Sequence, residues 1–91
     1  MSDLSAINAE RIERMQALLA ILNPSQCDIE DQSHLHAGHA GAKTGKGHFH
    51  LTIRTSEFAG LRKLAQHQKV YQTLGEMMQT DIHALSIDSG E

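Results

Sequence analysis

The chain has 91 residues, a net charge of −3, and 40% hydrophobic and 21% charged residues, values that suit one domain with a modest core and exclude general disorder. Its aromatic residues are Phe49, Phe58 and Tyr71, with no tryptophan, too few for a platform on which single-stranded bases stack. The single cysteine, Cys27, excludes an intrachain disulfide framework and any cluster site built from several thiolates of this chain.

Residues 4–22 place Leu4, Ile12, Met15, Leu19 and Leu22 on one helical stripe, with Ile7 and Leu18 beside it. Asn8 and Arg11 interrupt the stripe, so the first turns are expected to be exposed. Ser2 or Asp3 is the expected N-cap, and Pro24 stops the helix because the residue before a proline avoids the helical region. Gln26–Asp31 then alternates as a short strand, with Cys27 and Ile29 inward and Cys27 read as a small core side chain. A clearer strand follows, in which Phe49, Leu51 and Ile53 alternate with His48, His50, Thr52 and Arg54. This predicts a solvated outer face for His48 and His50, about 7 Å apart by the rise of a strand.

Between the strands lie about fifteen Gly-rich residues containing His34, His36 and His39, a connection long enough to be functional, with 34–47 expected to be mobile. Three histidines in His34-x-His36-x-x-His39 also suggest a mononuclear zinc or nickel site. Ser56 is the expected cap of a turn and Phe58 a core plug. A second helix is predicted over Leu61–Gln79, with Leu64, His67, Tyr71, Leu74 and Met78 on its buried stripe and Val70 and Met77 adjacent. His67 reads as a half-buried structural histidine. Ile82–Ile87 is the last strand, and residues 88–91 are expected to fray.

Helix, strand, strand, helix, strand make one α+β domain over 1–91, a two-layer sandwich with a three-stranded mixed sheet and its helices on one face. The last strand is predicted to pair in parallel with a hairpin strand through a right-handed crossover. Residues 43–69 hold six of the eight basic residues, Lys43, Lys46, Arg54, Arg62, Lys63 and Lys69, against Glu57 alone, a sign asymmetry that can mark an interaction face. No segment reaches the length of a membrane span and the first residues carry no signal-like apolar run, so a cytoplasmic protein is expected. A nucleophile elbow and a phosphate loop are absent, and no carboxylate occurs between Asp31 and Glu57, so a non-enzymatic role is expected.

Several stretches together resemble the BolA family. They are Ser33-His34-Leu35-His36-Ala37-Gly38-His39, Gly47-His48-Phe49-His50-Leu51, Phe58-Ala59-Gly60, His67-Gln68-Lys69-Val70-Tyr71-Gln72-Thr73-Leu74 and the closing Ile82-His83-Ala84-Leu85-Ser86-Ile87. The resemblance implies a class II KH-like fold, a chain that is monomeric alone, and a heterodimer with a monothiol glutaredoxin that shares a [2Fe–2S] cluster with glutathione. It implies no cofactor for folding. It assigns the ligand of the His-Ala-Leu motif to His83 and a second ligand to His36, the position at Ser-x-x-His spacing, with His34 and His39 as alternatives. Two imidazoles on one iron would resemble a Rieske-type centre, and cluster retention is then expected to weaken towards pH ~6.5, where free histidine titrates.

Family members are also regarded as DNA-binding regulators, which would use Arg54, Arg62, Lys63 and Lys69 here. The family often has arginines beside the helix histidine, where this chain has Gln66 and Gln68. Gly38-His39-Ala40-Gly41 spells the KH backbone clamp but lies between strands and not at a helix junction. Any DNA affinity is therefore expected to be weak and steeply salt-dependent.

Overall fold

The computed structural model describes residues 4–33 and 45–91. Helix α1 (Leu4–Leu19) runs into a 3₁₀ turn (Ala20–Leu22), which Asn23 closes in the left-handed region at φ 51°, its N–H donating to Ala20 O at 2.9 Å. Pro24 follows, and the chain enters β1 (Gln26–Asp31). Strand β2 (Gly47–Arg54) leads through a 3₁₀ turn (Ser56–Phe58) to α2 (Lys63–Leu74), the short α3 (Met77–Thr80) and β3 (Ile82–Gly90). The sheet order is β1-β2-β3, with β1 antiparallel and β3 parallel to β2, as the element order predicts.

One apolar cluster lies between sheet and helices. Phe49, Leu51 and Ile53 of β2 meet Met15, Leu19 and Leu22 from the first helical segment and Val70 and Leu74 of α2, with Phe58, Met77 and Ile82 closing the ends. Alternation along β2 thus faces its apolar side to the helices. Cys27 packs against the same cluster, half-buried. Burial, and then the neighbouring Asp28 charge, push its thiol pKa up, which suits a small core residue.

Four expectations need correction. The first turns of α1 are not exposed at Asn8, which is 1% accessible, because its amide and Arg11 find polar partners described below. The buried face of α2 is Gln66, Val70 and Leu74, while Leu64 is 71% and Tyr71 40% exposed. Gln66 tolerates burial because its amide donates to Leu61 O at 2.8 Å and accepts from Ser89 Oγ at 2.6 Å. The second helix also stops at Leu74, since Gly75 takes φ 59° and ψ −128°, a conformation that breaks the helix before Met77. Finally, residues 88–90 are not frayed. Strand β3 pairs with β2 out to Arg54↔Gly90, and Ser89 is buried.

Two smaller differences concern caps and stems. Thr55, not Ser56, caps the 3₁₀ turn: its Oγ1 accepts from Glu57 N at 3.1 Å and donates to Leu22 O at 2.6 Å. The alternatives Ser2 and Asp3 for the first cap lie outside the described residues. Of the segment 34–47, residues 34–44 also lie outside them, whereas Gly47 is already paired in β2 and Gly45 O accepts a bond from Arg11.

Candidate functional site

The strand that carries the His-Ala-Leu motif is irregular where the motif begins. Gly47 pairs with Ile82 and His48 with Ala84, so His83 is the extra residue of a bulge and opposes nothing in register. Bulges re-aim side chains in this way and recur beside functional sites. His83 is exposed. Its ring lies against that of His48, with centroids 5.0 Å apart and planes tilted by 50°.

His48 is 5% exposed, which corrects the solvated position predicted for it. Strand alternation does place it opposite Phe49, but the bulge brings His83 over that end of the sheet. A half-open cavity of about 300 Å³ adjoins it, lined also by Gln32, Phe49, Ala84, Leu85 and Ser86. His50, next on the same face, is half-buried and shares a 2.6 Å hydrogen bond between its Nδ1 and Ser86 Oγ. His67 is half-buried on α2, as expected.

The roots of the His-rich segment are tied to this end of the sheet. Ser33 Oγ accepts from His48 N at 3.0 Å and from Asn8 Nδ2 at 3.1 Å, and Ser33 N donates to Asp31 Oδ1 at 2.9 Å. On the other root, Gly47 N donates to Asp81 O at 2.9 Å. Asp81 also holds Arg11 at 3.1 Å and Arg14 at 2.7 Å. Its carboxyl pKa is lowered from 3.8 to about 2, chiefly by the Thr80 hydroxyl and then by the two guanidinium groups, against a burial effect that raises it.

Of the positions that the resemblance marks as ligands, His83 stands exposed at the bulge, while His36, His34 and His39 lie outside the described residues. Among the described residues no three His, Cys, Asp or Glu side chains gather as a metal site. The donor set that this chain presents is imidazole. Cys27 is on the helix side of the sheet, where burial raises its thiol pKa. His48 escaped sequence reasoning as a neighbour of His83 because a bulge leaves no periodic trace. The polar residues Asn8 and Arg11 on an apolar stripe were the legible sign that α1 meets something polar.

The basic positions do not act as one set. Arg54 Nη1 donates to Asp88 O at 3.0 Å and its Nη2 pairs with Asp88 Oδ1 at 3.2 Å. Lys63 Nζ donates to Ser89 O. Arg62 is exposed and Lys69 half-buried. Arg54 and Lys63 therefore brace β3, and phosphate contact would compete with those bonds.

A family model, BolA, described as BolA-like protein, matches residues 18–90. The chain is 38% identical over 91 residues to Protein BOLA1, chloroplastic, of Arabidopsis thaliana, with 97% of this chain and 57% of that protein covered. It thus spans little more than half of that relative. Over 78 residues it is 35% identical to the DNA-binding transcriptional regulator BolA of Escherichia coli, covering 86% of this chain and 70% of that one. Among solved structures, the BolA domain of SufE1 from Arabidopsis thaliana superposes with a TM-score of 0.78 at 33% identity, over 88% of this chain and 90% of that one.

Proposed function

The chain belongs to the BolA family, and from that premise we propose that it binds a monothiol glutaredoxin and shares a [2Fe–2S] cluster with it and with glutathione, in cluster assembly, trafficking or iron-linked regulation. The observation that carries this reading is His83, an exposed imidazole on a bulge beside both roots of the His-rich segment. Such a residue can meet a metal held on another surface. The chain supplies imidazole, and the partner and glutathione supply the thiolates, since Cys27 is packed on the opposite side of the sheet. His36 is the second ligand in this reading, with His34 and His39 as alternatives. No described helix is long and apolar enough to cross a membrane, and the reading places the pair in the cytoplasm.

Mixing the chain with cluster-loaded glutaredoxin tests it. The visible absorption and circular dichroism should change on mixing, and the change should be lost with His83→Ala. A spectrum that is the same with and without the chain would overturn the reading.

A second reading has its own support: a relative of 35% identity is named a DNA-binding transcriptional regulator, and Arg62 projects from the start of α2 with its side chain exposed. In this reading Arg62 and Lys69 touch phosphates, and Arg54 and Lys63 do so only by giving up β3. A salt titration of duplex binding separates it from the first, because phosphate contacts weaken linearly with the logarithm of salt concentration.

A further inference from the structure

Arg11 stands where an amphipathic helix should bury an apolar residue, and its side chain is only 11% exposed. A guanidinium so placed is tolerable only if its donors are satisfied. Its Nε donates to Asp81 Oδ2 at 3.1 Å, and its Nη1 to Asn8 Oδ1 at 2.9 Å and to Gly45 O at 2.8 Å. Asn8 Nδ2 in turn donates to Asp31 Oδ2 at 3.2 Å and to Ser33 Oγ at 3.1 Å. One turn of α1 therefore grips Ser33 on one root of the 34–44 segment, Gly45 on the other, and the residue two positions before His83.

We propose that Arg11 is a positioning residue, which with Asn8 clamps Ser33 and Gly45 to the start of β3, the strand that carries His83. The inference rests on the cluster-binding reading for its purpose, though not for its geometry. Holding the start of β3 against Ser33 and Gly45 orders the surroundings of His83 before a partner arrives, which lowers the ordering cost on binding. The forked donor matters as much as the charge. Lysine carries the charge but cannot present the same planar fork to Asp81, Asn8 and Gly45 at once. Arg14 holds Asp81 at 2.7 Å from a half-exposed position, so the carboxylate keeps a partner when Arg11 is removed, and what is lost is the link to the roots.

The test uses the full chain with Arg11→Ala, with Arg11→Lys, and with Glu13→Ala as a control on the exposed face of the same helix. Residue-resolved amide hydrogen exchange of the chain alone should quicken about tenfold at Ser33, Gly47 and His48, with Leu51 and Ile53 unchanged, as for a local opening. Glu13→Ala should leave all five at wild-type rates, and Arg11→Lys should fall between. In the cluster-loaded mixture Arg11→Ala should still bind glutaredoxin but give an altered dichroism and a several-fold faster loss of cluster.

Wild-type protection at Ser33, Gly47 and His48 in Arg11→Ala would overturn the clamp. So would a loss of protection shared equally by Leu51 and Ile53, which would mark a merely structural role. Should the alanine chain not fold, Arg11→Lys carries the same comparison. Should the wild-type chain leave the glutaredoxin spectrum unchanged, the cluster reading falls, while the exchange rates alone still decide the clamp.

Discussion

His48 and His83 meet ring to ring, 5.0 Å between centroids, one buried and the other at the surface. The contact follows from two features of the sheet: β3 lies parallel beside β2, and an irregularity between Gly47 and His48 leaves His83 without a partner across the ladder. The buried ring gives the exposed one a wall to rest on. An imidazole held this way keeps part of its orientation before any partner arrives, which reduces the cost of ordering it on binding.

Because His83 is exposed, His83→Ala should change unfolding free energy by no more than about 0.5 kcal/mol while abolishing the spectral change with cluster-loaded glutaredoxin. Urea unfolding and visible dichroism of the same preparation check the two halves. A large loss of stability would show that the residue serves the fold and not a ligand.

Gly47 opens β2 at its tightest point. A Cβ there would press on the Phe49 ring and stand 2.9 Å from Asn8 Oδ1. Phe49 is 2% exposed and Asn8 1%, so neither side chain can retreat into solvent. Gly47→Ala should cost about 1–3 kcal/mol through this overpacking, read as a lower urea midpoint with the slope unchanged.

The core centre offers a control of different origin. Leu51 is fully buried, and Leu51→Ala should cost about 2–5 kcal/mol through lost burial and the cavity left behind. It should leave the spectral response to glutaredoxin in the folded fraction intact. A response lost in the folded fraction would tie cluster binding to the core and not to the bulge.

Asp81 predicts an acid limb of stability. Its folded pKa, about 2, lies below the ordinary 3.8, so the unfolded chain takes up the proton first. The stabilisation from this carboxylate is therefore whole above pH ~4 and is lost as pH falls towards ~2. Urea midpoints of wild type and Asp81→Asn measured from neutral pH downward should converge in that window. A gap that stays constant through it would refute the assignment.

If the chain binds duplex DNA at low salt, Arg62→Ala should lower the slope of log affinity against log salt by about one. Arg54→Ala should act mainly on stability, because Arg54 is tied to Asp88. Equal effects on the salt slope would show that Arg54 leaves Asp88 when phosphate is present.

Periodicity and alternation by themselves determined the helix–strand order, the β1 span, the inward face Phe49-Leu51-Ile53 and the α+β class, because each is written in spacing along the chain. The family resemblance pointed to His83. What the tertiary structure decided was everything that depends on pairing across the fold. Asn8 reads as part of an exposed first turn until Ser33 is placed beside it, and Gln66 stands off the predicted buried stripe until Ser89 is. Likewise, the buried face of α2 is set by the Gln66–Ser89 pair together with Val70 and Leu74. His48 read as solvated because alternation gives the side of a strand but not what lies over it, and in the fold the ring of His83 on the β3 bulge lies against it. Arg11 looked like an interruption of a stripe. Only the folded chain shows that Gly45 and Asp81 are its reason.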